Sequence, residues 1–245
     1  MSEACVTIVC CYNDMQQYER LEKSLAKQNI AYELLGIDNR KQEFSSCSSA
    51  LNSVKNQIDT EYVVYAHQDI ELPESNMLEC FLGYLKKTVS GDVLGVAGIV
   101  EDGGDDIVLS AVRHGADLLV AGEKSFSGMV PCDTVDECFF GGRTEGFRES
   151  PFDEDLCDDW HMYAVERCLR AKVQKKQVYV CDLPLLHHSG GHINHAYNLN
   201  YLKIAKHYAD KLPYIRTVCG STKTDFWHRT LFFLKREILI RLHRY

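Results

Sequence analysis

Short apolar runs alternate with longer amphipathic stretches through the first hundred residues. Val6 to Cys11 (VTIVCC) is β-branched and reads as a strand, closed by Tyr12-Asn13-Asp14 as a turn. Met15 to Gln28 is polar except at Tyr18, Leu21 and Leu25, a helical spacing. Tyr32 to Ile37 reads as a second strand, ended by Asp38-Asn39-Arg40. Ser45 to Ile58 carries Ala50, Leu51, Val54 and Ile58 on one side of a helix. Glu61 to Ala66 (EYVVYA) is a third strand, Met77 to Val89 a further helix and Asp92 to Val100 a fourth strand. Strands and helices alternating at these lengths predict an α/β fold, a mostly parallel central sheet with helices on both faces.

The second half is less regular. Residues 101 to 131 are rich in Gly and Asp and read as a loop or short hairpin excursion. Strand-like residues return at Val130 to Phe140, a helix is expected over Asp158 to Lys172, and a late strand over Val178 to Leu186. A polar loop, His187 to His195, leads to a helix over Asn200 to Leu212. Beyond it Trp227, Leu231, Leu234, Ile238, Leu242 and Tyr245 recur at helical spacing, with Arg229, Arg236 and Arg244 largely off that stripe. The chain therefore divides into a main domain over residues 1–215 and a basic amphipathic helical extension over residues 216–245. A helix of that kind lies on an anionic membrane, or docks on its own domain or on a partner subunit.

Charge sharpens this division. The net charge of the 245 residues is −8, which argues against a nucleic-acid partner. Residues 226–245 hold five Lys/Arg against Glu237 alone, so the tail stands near +4 and the body near −12. Eleven cysteines are an odd number, several lie in apolar runs, and no C-x-x-C pair occurs. Reduced thiols packed in a cytoplasmic protein are the expectation, with no secretory leader before the first strand. No apolar run approaches the roughly 20 residues that span a bilayer.

Ligands of open α/β sheets bind beyond the carboxyl ends of the strands, and three strands here end in acids: Asp14, Asp38 and Asp69. Neither G-x-G-x-x-G nor G-x-x-x-x-G-K-[ST] occurs, so no glycine loop cradles phosphates. A divalent metal held by carboxylate is the natural substitute. Turn capping, the use of most strand-end acids, is the competing reading at Asp14, Asp38 and Asp69.

On these residues the chain resembles the GT-A-fold glycosyltransferases, close to the family 2-like group. VTIVCCYND resembles the group's opening strand and turn, GIDNR its base- or ribose-holding strand end, and SSALNSVKNQIDTEYVVYAHQDIEL its helix, strand and metal segment. FDEDLCDDWHMYAVERCLRA, followed by VYVCDLPLLHHSGG, resembles the acceptor-side segment and the late histidine ligand. The resemblance runs over roughly residues 5 to 195. It implies nucleotide contacts from Tyr12, Asn13, Asp38, Asn52 and Gln68. It also implies a site for Mn²⁺ or Mg²⁺ at Asp69, with His67 standing where most members have the first acid of Asp-x-Asp. His187 or His188 would complete the metal site, with His188, nearer the Ser189-Gly190-Gly191 turn, preferred.

The group's Glu-Asp pair aligns with Tyr163-Ala164, which cannot act as a base. That role passes to Asp159 first, then to Asp158, with N-capping as the competing use of both. Asp136 and Glu137 compete for the same job, and His161 either binds acceptor or packs. The implied activity is transfer of a sugar from a nucleoside-diphosphate donor, UDP favoured, to a carbohydrate or lipid-linked saccharide, with inversion. Two rivals stand beside it: a nucleotidyltransferase, although residues 10–20 lack its basic glycine-rich loop, and a non-catalytic sugar-nucleotide-binding member, motivated by His67 and Ala164.

Overall fold

The computed structural model describes residues 4–189 and 193–242. Its first part follows the predicted alternation: β1 (Val6–Tyr12), α1 (Met15–Leu25), β2 (Glu33–Asp38), α2 (Cys47–Ser53) and β3 (Tyr62–Ala66). Asp14 caps α1 by accepting from the Gln16 and Gln17 N–H groups, and Ser46 caps α2 through Ser49 N–H. A two-residue β4 (Ile70–Glu71) and α3 (Met77–Leu85) follow.

The expected strand over 92–100 is two strands. β5 (Val93–Gly95) stays in the central sheet, while β6 (Ala97–Asp102) leaves it and forms a hairpin with β7 (Asp105–Ser110). The short pieces β8 (Arg113–His114), β9 (Leu119–Val120), β10 (Met129–Pro131) and β11 (Thr134–Val135) precede the long β12 (Phe139–Arg143). After these come α4 (Thr144–Glu149), α5 (Tyr163–Val173), β13 (Val178–Cys181), β14 (Leu186–His187) and α6 (His195–His207). A final hairpin of β15 (Tyr214–Thr217) and β16 (Gly220–Lys223) leads into α7 (Phe226–Arg241). The division expected at residue 215 falls inside this hairpin.

The central sheet has the order β10-β13-β5-β12-β3-β1-β2. β2, β1, β3, β5 and β13 run one way, and β12 and β10 run against them. Strand periodicity sends alternate residues of β3 to opposite layers. Val63 and Tyr65 join the layer of α2 and α5 with Phe140, Phe147 and Tyr163. Tyr62, Val64 and Ala66 join Leu21, Leu25, Leu78 and Phe81 of α1 and α3. β12 sits between β3 and β5, and Gly141 is required there: a Cβ would lie 2.1 Å from the Val63 carbonyl oxygen.

Candidate active site

The strand ends open into a cleft of about 630 Å³ lined by Tyr12, Asn13, Asn39, His67, Asp69, Asp136, His161 and Tyr197, among others. Two segments distant in sequence build its floor. β14 pairs antiparallel with β4, placing His187 opposite Ile70 and Leu186 opposite Glu71, and the His188 N–H donates to the Asp69 carbonyl (3.1 Å). Adjacent residues of a strand point to opposite sides. The His187 ring therefore meets the Asp69 carboxylate, Nε2 to Oδ1 3.4 Å, while His188 turns to Glu71 at 3.1 Å. Nearness to the Ser189 turn favours His188 as the late histidine; the register instead gives the cluster His187.

His67, Asp69 and His187 each offer one donor atom within 4.8 Å of the others. Burial, reinforced by the nearby His187, pushes the His67 imidazole down to about 4, so it is neutral at ordinary pH. Burial alone would raise the Asp69 carboxyl, but the hydrogen bond and charge of His187, with His67 and Ser189, hold it well below the usual carboxylate range. One neutral imidazole and one ionised carboxylate are the forms that ligate metal, and a mixed N/O set suits Mn²⁺. The residues fit a divalent cation. The His67 Nε2 also meets the Tyr163 hydroxyl at 3.1 Å, which orients the ring.

Beside the cluster, Gln68 locks the turn after β1. Its side-chain oxygen accepts from the Asn13 and Asp14 N–H groups (both 2.9 Å), and its amide donates to Asn13 Oδ1 (2.9 Å). Tyr12 stacks on Tyr18 with ring centroids 4.0 Å apart.

Across the cleft, Met162 adopts a left-handed backbone (φ 72°) just before α5. A non-glycine residue there stores on the order of 1–3 kcal/mol of strain, and such residues gather at functional sites. The kink lies between His161 and Tyr163, both of which line the cleft. His161 Nδ1 lies 3.7 Å from the buried Glu137 carboxylate. Burial raises the Glu137 carboxyl. Burial would lower the His161 imidazole, but Glu137, with Asp159 and Asp136, lifts it above its ordinary value. Asp136 accepts from Cys138 N–H through Oδ1 (2.9 Å) and lines the same cleft.

A model of the glycosyltransferase-like family matches residues 7–208. The chain belongs to that family. Among solved structures it is similar to GalNAc-T7 with UDP, GalNAc and Mn²⁺, with a TM-score of 0.59 at 10% identity, over 85% of this chain and 48% of that one. It is also similar to Staphylococcus aureus TarS 1–349 with UDP-GlcNAc, with a TM-score of 0.54 at 14% identity, over 83% of this chain and 66% of that one. The chain thus spans about half of GalNAc-T7 and just under two thirds of the TarS fragment. These likenesses show the fold, which is the GT-A fold of glycosyltransferases. Comparison with curated proteins finds no match.

Within this glycosyltransferase fold, the residues named from the sequence fall into two groups. Tyr12, Asn13, Gln68, His67, Asp69, His187 and Asp136 share the cleft. Glu137, His161 and Ser189 line it too, and the others lie outside its lining. Asp38 is exposed at the end of β2 and held by Arg40 (2.6 Å), which keeps its carboxyl at about 2; its neighbour Asn39 lines the cleft instead. Asn52 is engaged by the Phe152 backbone and Glu154. Asp158 pairs with Lys203 at 2.5 Å, and the Asp159 carbonyl accepts from Cys47 N–H. Neither aspartate caps α5, which starts at Tyr163 behind Met162. Asp14 is the cap of α1, and His195 is turned to Glu237. Gly190, Gly191 and His192 lie outside the described residues.

Asn39, Tyr197 and the Thr217–Cys219 turn, not expected from the sequence, also line the cleft. Asn39 carried a signal, being next to Asp38 at a strand end. The turn between β15 and β16 carried none, since its strands are short and polar.

Proposed function

We propose that this chain is a metal-dependent transferase that moves a sugar, with inversion, from a UDP-sugar to a saccharide acceptor. The observation that carries the reading is the convergence of His67, Asp69 and His187 in the cleft that also holds Asp136. The nucleotides in the GalNAc-T7 and TarS structures support the choice of UDP, and the Mn²⁺ of the former supports the metal. His67, Asp69 and His187 would hold the divalent ion, whose charge, when bound, offsets that of the donor diphosphate.

The chain's own residues then have separable roles. Gln68 fixes the backbone of Asn13 beside the nucleotide, so the donor meets a preformed turn. Asp136 takes the proton of the acceptor hydroxyl as its oxygen bonds to the anomeric carbon and the nucleoside diphosphate leaves with the bond electrons. This role moves from Asp159 and Asp158 to Asp136 because only Asp136 of the three lines the cleft. The His161–Glu137 pair borders the acceptor side and positions it.

The test is a screen of nucleotide sugars for metal-dependent thermal stabilisation, followed by turnover with the stabilising donor. Asp136→Asn should keep donor binding and lose about 10²- to 10⁴-fold in kcat. Unchanged kcat in that variant would remove Asp136 from the base role. Pyrophosphate release from a nucleoside triphosphate would replace the reading with a nucleotidyltransferase.

A further inference from the structure

The last helix, α7, has two unlike faces. One is anchored on α6. Phe232 lies against Tyr201 with ring centroids 4.9 Å apart, and the buried Arg236 guanidinium sits 5.0 Å from the Tyr197 ring centre and 4.9 Å from that of Phe232. Glu237 accepts from the Asn198 amide (2.7 Å) and lies 2.8 Å from His195 Nδ1. These contacts set the rotation of the helix about its axis.

The opposite face carries Trp227, Leu231, Leu234, Ile238 and Leu242, spaced so that all lie on one stripe and each between 52% and 78% exposed. Single exposed leucines are ordinary on a protein surface, but five aligned along four helical turns are not. Lys235 and Arg241 stand exposed beside the stripe. Glu237 is the only carboxylate between Phe226 and Leu242, and it faces α6. The exposed face is therefore apolar and cationic; the one acid of the helix, Glu237, acts on Arg241 from the α6 side.

We propose that this face docks α7 in the interface of an anionic lipid bilayer. The stripe would enter the acyl boundary while the long Lys235 and Arg241 side chains reach up to lipid phosphates. Charge selects this occupant over a second copy of the chain. Two α7 faces brought together would oppose Lys235 and Arg241 to their own counterparts, while the helix's one carboxylate, Glu237, is already engaged by Asn198 and His195. An anionic surface also orients the molecule, because the tail near +4 is attracted where the body near −12 is repelled. Arg236 of the docked helix touches Tyr197, which lines the cleft, so the bilayer would lie one helix layer from the acceptor side. Resting on the transferase reading, this specifies the acceptor as a saccharide carried on a membrane lipid.

The experiment is co-sedimentation of the full chain with vesicles of phosphatidylcholine alone and of phosphatidylcholine mixed with phosphatidylglycerol. Binding to the mixed vesicles, weakened by salt and absent from phosphatidylcholine alone, is expected. The double variant Leu231→Asp, Ile238→Asp should bind at least tenfold more weakly at an unchanged melting temperature, because both side chains are exposed. In a Trp160→Phe background the remaining Trp227 emission should shift to the blue on mixed vesicles. No binding to mixed vesicles, binding that the double variant retains, or a dimer that the double variant dissociates would each overturn the proposal. Vesicle binding needs no donor, so failure of the transferase reading would leave this result intact and show separately in the nucleotide-sugar screen.

Discussion

The replacement Asp69→Asn tests the metal cluster most directly. The amide keeps the size and shape of the carboxylate and removes only its charge, at a position 3.4 Å from His187 and within ligand distance of His67. A metal that binds the native state stabilises it by RT ln(1 + [L]/Kd), about 2.7 kcal/mol at a hundredfold excess over Kd. Loss even of an outer partner weakens metal sites by about 10- to 100-fold. Asp69 is the one anionic member of the three, so a loss of about a hundredfold is expected, which leaves roughly 0.4 kcal/mol at the same metal concentration. The difference, about 2.3 kcal/mol, corresponds to a metal-induced melting shift smaller by roughly 5–9 °C for a chain of this length. The assay is thermal unfolding with Mn²⁺ and with chelator. Each protein serves as its own metal-free reference, so changes in intrinsic stability cancel. Asp38→Asn, an equal charge change at the exposed end of β2, should leave the metal shift unaltered. An Asp69→Asn protein with the full wild-type shift would refute the assignment of His67, Asp69 and His187 as the metal site.

Three further predictions follow from other parts of the molecule. Gly141→Ala places a methyl group 2.1 Å from the Val63 carbonyl in a strand clamped on both sides, so a loss of about 3 kcal/mol or more is expected. A melting temperature within about 2 °C of wild type would show that β12 can shift. Gln68→Ala removes the acceptor of two backbone N–H groups and a bond to Asn13; calorimetry should show UDP affinity weaker by roughly tenfold, about 1.4 kcal/mol, with the fold intact. His161 holds its proton more tightly folded than unfolded, so its contribution is fully present below about pH 6.5 and fades as pH rises through the folded value. Urea midpoints of wild type and His161→Gln should therefore converge as pH rises from about 6.5 through the raised folded value, and parallel profiles would contradict the pairing with Glu137.

The elements read correctly from the sequence are those whose periodicity is long and whose partners are local. β1 and β3 are continuous β-branched or apolar runs buried on both faces, and α1 and α3 show helical spacing, which the layered core uses directly. What escaped reading is set by tertiary contact. The run Val93–Val100 is uniformly apolar, and only a second sheet pairing with β6 reveals that it divides at Val96. The helix expected from Asp158 begins at Tyr163 because Met162 takes a left-handed turn that no propensity scale favours. The expected start of α6 at Asn200 missed its first turn, where Asn194 caps a helix opening at His195.

The metal cluster shows the same boundary at the level of chemistry. Sequence spacing brings His67 and Asp69 together, since residues i and i+2 past a strand end share a side. It leaves two adjacent histidines, His187 and His188, as equal candidates for the third donor. Proximity to the Ser189 turn points to His188, but a loop argument has no parity, whereas a strand does. Once His187 is paired opposite Ile70, pleating sends it to the Asp69 side and His188 to Glu71. A one-residue slip of that two-residue ladder would exchange the two rings. The register of β4 against β14 therefore decides the donor set, and His188→Ala should preserve the metal-induced stabilisation that His187→Ala abolishes.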